Sequence, residues 1–192
     1  PVLALDTVEG WDAWLVAEAG SSPGVWLTIG KRGAGISYGD ALDVALTHGW
    51  IDGQKRALDD DHWLQRFTPR RPGSRWSKVN TERVERLIAA GRMRPAGTLA
   101  VEEARADGRW EAAYAGSRQA TVPPDLQRAL DQVPAAAAFF GGLDAANRYA
   151  VLYRIEQAKR PETRARRIAD FVAMLAEGRT IHPTGGRRRR PG

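Results

Sequence analysis

All seven tryptophans of this 192-residue chain lie between Trp11 and Trp110, while its positive charge gathers at the other end. Residues 150–192 hold eleven Arg and Lys against four Asp and Glu, a formal +7, which leaves −1 for residues 1–149. A segment that carries every large indole must bury them in one core, and a basic segment rich in Ala must build its core from other side chains. Two unlike parts are therefore expected. The boundaries read as an α+β portion over 1–95, a helical portion packed on it over 96–182, and a disordered basic tail over 183–192.

Local patterns support that division. Val8, Trp11, Leu15 and Ala19 recur at helical spacing behind Asp6 as N-cap, with Gly20 as the stop. Val25–Ile29 is a short β-rich run bounded by glycine, and Ser37-Tyr-Gly-Asp40 has the form of a capping box before a helix closed by Gly49. Trp50–Arg56 and His62–Phe67 read as two strands joined by the acidic turn Leu58–Asp61. Asn80 or Thr81 caps a further helix facing inward with Val84, Leu87 and Ile88. Beyond Gly91 the pattern is mostly helical, over about 98–107, 109–115, 124–132, 145–158 with Asp144 as its cap, and 161–177. In the last of these Ile168, Phe171, Val172 and Leu175 share one face. The fold class is α+β: N-terminal helices with a small antiparallel sheet, then a mainly helical C-terminal part.

Several chemistries are excluded or unsupported. Without cysteine there is no disulfide, thiolate metal site or Cys nucleophile. The longest apolar stretch, Ala135–Phe140, is far too short to span a bilayer. The first residues, Pro1–Asp6, carry no basic leader, so a soluble cytoplasmic protein is expected. Gly30–Ile36 follows a strand and precedes a helix but matches neither nucleotide motif, and it reads as a plain connection. Asp59-Asp60-Asp61-His62 reads as a solvated turn, because adjacent residues seldom converge on one ion. No catalytic residue, metal site or cofactor is assigned.

The most concentrated signal is Leu64–Lys78, where Arg66, Arg70, Arg71, Arg75 and Lys78 are interleaved with Phe67 and Trp76 and no acid intervenes. Guanidinium forks beside aromatics suit carboxylate or phosphate. The competing reading is structural: Arg75 stacks on Trp76, and the other cations pair with Glu82, Glu85 or the Asp59–Asp61 turn. The candidate ligand-binding set is Trp50, Asp52, Arg70, Arg71, Ser74, Trp76, Lys78 and Asn80, expected to line the main pocket together. A secondary anion-binding set is Lys159, Arg160, Arg164 and Arg167, three of which share a helix face without a local acidic partner.

These stretches also carry a resemblance. Gly49–Gly53, Phe67–Arg71, Ser74–Lys78 with Asn80, Gly91–Gly97, Asp107–Trp110 and Lys159–Arg164 with Arg166–Ile168 resemble the YdeI/OmpD-associated family of bacterial proteins, over about 6–182. The resemblance implies bacteriocin or antimicrobial-peptide protection and association with an outer-membrane porin. It implies no catalytic mechanism.

Three functions follow as expectations. The first is a non-enzymatic stress and antimicrobial-resistance protein that binds a small anionic ligand or a protein partner through the Trp/Arg face. The second is an enzyme on a small anionic substrate, with Asp52 as general base and Arg70, Arg71 and Lys78 binding the anion. The third is nonspecific nucleic-acid binding, for which the sequence pI of about 10.1 and weak polyanion attraction by the tail are the motive.

Overall fold

The computed structural model of the chain describes residues 1–116 and 120–183. The expected tail lies outside them from Thr184 onward. The chain divides into two compact units, Pro1–Tyr114 and Ala115–Gly192. Among the described residues no helix is long and apolar enough to cross a membrane.

The first unit runs β1 (Val2–Leu3), α1 (Val8–Glu18), β2 (Val25–Gly30), α2 (Tyr38–Thr47), β3 (Trp50–Ala57), β4 (His62–Pro69), α3 (Lys78–Ala89) and α4 (Pro95–Ala106). The sheet order is β1-β2-β4-β3. It is antiparallel across β2, β4 and β3, as expected, and the two-residue β1 adds a parallel edge. Strand alternation divides its two faces. Val25, Leu27, Ile29 and Phe67 are fully buried on one, while Trp26, Thr28, Leu64 and Arg66 are half-buried on the other.

Tryptophans fill the core of this unit. Trp11 lies 5.5 Å from Phe67 and edge-on to Trp50 at 6.4 Å, and its Nε1–H donates to the Ala41 carbonyl at 3.0 Å. The ring mass is thus buried with its polar handle satisfied. The α4 helix, beyond the expected boundary at 95, adds Val101 and Ala104 to the same core. It crosses α2 at Gly97, where a Cβ would meet the Thr47 carbonyl oxygen at 2.1 Å, so only glycine fits that approach.

Side-chain caps open α1, α2 and α3, whereas α4 begins at Pro95 without one. Ser37 Oγ accepts from the Asp40 amide, and Gly49 ends the following turn at φ +73. Two caps differ from expectation. Thr7, not Asp6, caps α1, accepting from the Gly10 amide at 3.1 Å. Ser77, not Asn80 or Thr81, caps α3, so the helix begins earlier and Asn80 turns inward, 9% exposed. Ser77 is fixed there by its bridge to Tyr114, a contact from 37 positions away that local pattern does not reveal.

The second unit holds α5 (Pro124–Asp131), α6 (Pro134–Gly141), α7 (Ala145–Glu156) and α8 (Pro161–Ala176). Its separate core includes Leu126, Leu130, Phe140, Ile155 and Leu175. Asp144 caps α7, accepting from the Asn147 amide at 2.7 Å. The buried Asn147 side chain exchanges two hydrogen bonds with the His182 backbone and so ties the 180–183 segment to α7.

Candidate functional site

A bulge in β3 shapes the first candidate site. Asp52 pairs with Phe67 and Lys55 with Gln65, so three steps along β3 match two along β4. In a regular strand Asp52 and Lys55 would face opposite sides; the extra residue turns both toward the helix-bearing face. Gln65, 4% exposed, stabilises the bulge by donating from Nε2 to the carbonyls of Gly53 and Gln54 at 2.9 and 3.2 Å.

The result is a cleft of about 780 Å³ between the β3–β4 hairpin and the start of α2, with Lys31, Tyr38, Asp52, Lys55, Trp63 and Gln65 in its lining. The Tyr38 hydroxyl donates to Asp52 Oδ2 at 2.8 Å. Burial, and then the neighbouring carboxylate, push the phenol pKa well above its ordinary range, so Tyr38 remains a proton donor to Asp52. Lys31 Nζ is engaged by the carbonyls of Asp59 and Asp60. Lys55 forms no ion pair among the described residues. Asp59 itself closes the hairpin turn, accepting from the amides of Asp61 and His62.

The Arg-rich loop takes a different arrangement from the one expected. Arg70, not Arg75, lies over Trp76, its guanidinium carbon 3.4 Å from the ring centroid. Arg75 lies 5.2 Å over Tyr114. Burial pulls the Arg70 pKa down to about 10, against the opposing pull of Tyr114 and Asp52. Trp50 and Trp76 are each 2% exposed and belong to the core. Trp50 and Arg70 share a smaller cavity of about 280 Å³ with His48, Gly49 and Pro69, whereas Asp52 lines the larger cleft. The Ser74 carbonyl accepts from Arg109 at 2.8 Å, and Arg71 and Lys78 are exposed. The eight residues expected in one pocket are thus spread over two cavities, the core and the surface.

The open sheet face carries a group that the sequence reading missed. Trp26 lies under Arg56 at 4.2 Å and Arg66 at 5.9 Å. Trp26 and Arg66 are cross-strand neighbours on β2 and β4, a pairing that exists only once the strands are in register. The alternation of Trp26 and Thr28 with buried Val25, Leu27 and Ile29 was the available signal.

In the second unit Arg164 is occupied rather than open. It holds Asp125 at 2.5 and 2.9 Å through Nε and Nη2, and donates to the Ile155 carbonyl at 3.2 Å, so it ties α5 and α7 to α8. Arg167 donates to the Arg154 carbonyl, and Lys159 and Arg160 are exposed. Among the described residues no three His, Cys, Asp or Glu side chains gather as a metal site would need.

Two family models match the sequence. Residues 3–100 match a domain of unknown function, DUF8412. Residues 119–178 match the family described as Bacteriocin-protection, YdeI or OmpD-Associated. Of the motifs that carried the resemblance, Lys159–Arg164 falls in the second match, while those from Gly49 to Gly97 fall in the first. No curated protein and no solved structure matches the chain.

Proposed function

The chain belongs to the DUF8412 family, and its residues 119–178 match the family described as Bacteriocin-protection, YdeI or OmpD-Associated; from that match we propose that it protects bacteria against antimicrobial peptides by binding an anionic ligand or protein partner. Catalysis has no part in this reading. The observation that carries it is the Trp26 stack on the open sheet face. Arg56 and Arg66 lie against an indole, and neither forms an ion pair among the described residues. A guanidinium stacked on a ring keeps its in-plane N–H fork for an outside acceptor, and the ring limits the rotamer freedom lost on binding. Exposed Arg71 and Lys78 extend the positive charge of the same unit.

The test is titration of the full chain with a polyglutamate peptide. Arg56→Ala and Arg66→Ala are expected to weaken binding by roughly tenfold to a hundredfold each, the worth of one charge-assisted hydrogen bond. Arg71→Ala and Lys78→Ala should weaken it less, and all four should melt like the parent. A deletion strain should regain peptide tolerance with the parent gene and not with Arg56→Ala/Arg66→Ala. Equal affinity of parent and double variant would overturn the reading.

A second reading, an enzyme on a small anionic substrate, is favoured by the Tyr38–Asp52 hydrogen bond inside the cleft. It requires that Asp52→Asn abolish turnover while substrate still binds.

A further inference from the structure

Asp52 and Lys55 bring opposite charges into one cleft without meeting. Both line the cavity of about 780 Å³, and the β3 bulge turns both to the same face of the sheet. Neither forms an ion pair among the described residues, with the other or with any third group. Asp52 is half-buried; its Oδ2 accepts from the Tyr38 hydroxyl at 2.8 Å, and its Oδ1 accepts nothing among the described residues. A carboxylate so placed gives up part of its hydration without gaining a cation in return.

The other cations at the cleft are turned elsewhere. Lys31 Nζ donates to the carbonyls of Asp59 and Asp60 at 2.7 and 3.3 Å, and Arg56 lays its guanidinium over Trp26 on the open sheet face. Lys55, exposed and unpaired, is the cation left on the side of Asp52. With the extra residue absorbed by the bulge, the two start about 7 Å apart, two strand steps. A short arm and a long one from points that far apart suit the two ends of one small molecule. Past Lys55 the wall continues as Ala57 and the half-buried Trp63, paired across β3 and β4, an apolar surface for the body of a ligand. Gln65 holds the bulged backbone through the Gly53 and Gln54 carbonyls, so both charges are positioned before a ligand arrives.

We propose that this cleft binds a zwitterion of the α-amino-acid class, with its ammonium on Asp52 Oδ1, its carboxylate on Lys55 Nζ and a large apolar or aromatic side chain against Ala57 and Trp63. The charge-assisted bonds at the two ends select molecules that carry both groups. Asp52 receives a cation here and removes no proton, and neither Asp52 nor Lys55 belongs to the Trp26 stack. The inference therefore goes beyond both readings above.

The experiment is calorimetric titration of the full chain with three probes: phenylalanine, 3-phenylpropionate, which lacks the amine, and phenethylamine, which lacks the acid. Phenylalanine should bind saturably. Loss of the amine should weaken binding by roughly tenfold, the worth of a charge-assisted bond to a half-buried group. Loss of the acid should weaken it by about threefold to fivefold, because the Lys55 end is exposed. Asp52→Asn keeps an acceptor for Tyr38 and should erase the preference for phenylalanine over 3-phenylpropionate. Lys55→Met should erase the preference over phenethylamine. The enzyme reading requires that substrate binding survive Asp52→Asn, whereas here phenylalanine binding must weaken, so the two fail separately. No saturable binding of phenylalanine, a one-ended probe that binds as tightly, or preferences that survive both substitutions would each overturn the proposal. The three-probe comparison on the parent protein decides the matter even where a variant fails to fold.

Discussion

At the scale of single residues, Gln65 and Asp125 decide more than their sequence positions suggest. Gln65 sits on a strand that reads as alternating, yet its side chain caps two carbonyls that the β3 bulge takes out of the ladder. Gln65→Leu keeps the volume and removes the donor. It should cost about 1–2 kcal/mol in urea unfolding, the net worth of these hydrogen bonds. A variant as stable as the parent would show that the bulge stands on backbone geometry alone. Asp125 is held below its ordinary pKa of 3.8 first by the hydrogen bond from Arg164. Its folded-state pKa is lower than its unfolded one, so its contribution is complete above the unfolded value and is lost as pH falls through the folded one. Asp125→Asn should therefore melt below the parent at neutral pH, with the gap closing once pH drops below about 4. Both partners are about a third exposed, so solvent screening keeps the gap small. A gap that persists unchanged at acid pH would mean that Asp125 acts by shape and not by charge.

At the scale of elements, α8 shows how a periodic pattern ranks its own residues. Ile168, Val172 and Leu175 are 7%, 8% and 0% exposed, whereas Phe171 is only half-buried. The helical repeat explains this: Phe171 stands at the margin of the stripe that the other three define. The ring expected in the core is thus a border residue. Leu175→Ala should lose about 2–5 kcal/mol and Phe171→Ala distinctly less; equal losses in thermal or urea unfolding would contradict the burial difference. The α6 helix was not legible in the same way. Its Ala135–Phe140 run has no polar residue to mark a face, and only Pro134 at its start and Gly142 after its end mark it as helix. Two-residue β1 is too short for any alternation and exists because β2 offers it an edge.

At the scale of the whole molecule, the uneven spread of tryptophan and charge corresponds to two separate cores. All seven indoles lie in the first unit, and the second is packed with Leu, Ile, Val and Phe. Each core has its own fully buried residues, such as Val84 in the first and Leu126 in the second. Calorimetry should resolve two transitions. Val84→Ala should lower one and Leu126→Ala the other, each by several degrees. A single transition that both variants lower equally would show that the units unfold together.

The sequence by itself determined what acts within a turn or a strand. The Ser37 and Asp144 caps, the glycine stop at Gly49, the inward stripe of α8 and the β3–β4 pairing across an acidic turn all depend on residues a few positions apart. Their spacing already sets their distance. The tertiary structure alone decided which group answers which charge: Trp76 and not a carboxylate for Arg70, Asp125 for Arg164 across 39 positions, and one face for both Asp52 and Lys55. Stacking, ion pairing and hydrogen bonding act over a few ångströms. For residues far apart in the chain, that distance is set only when strands take their register and helices close on a core.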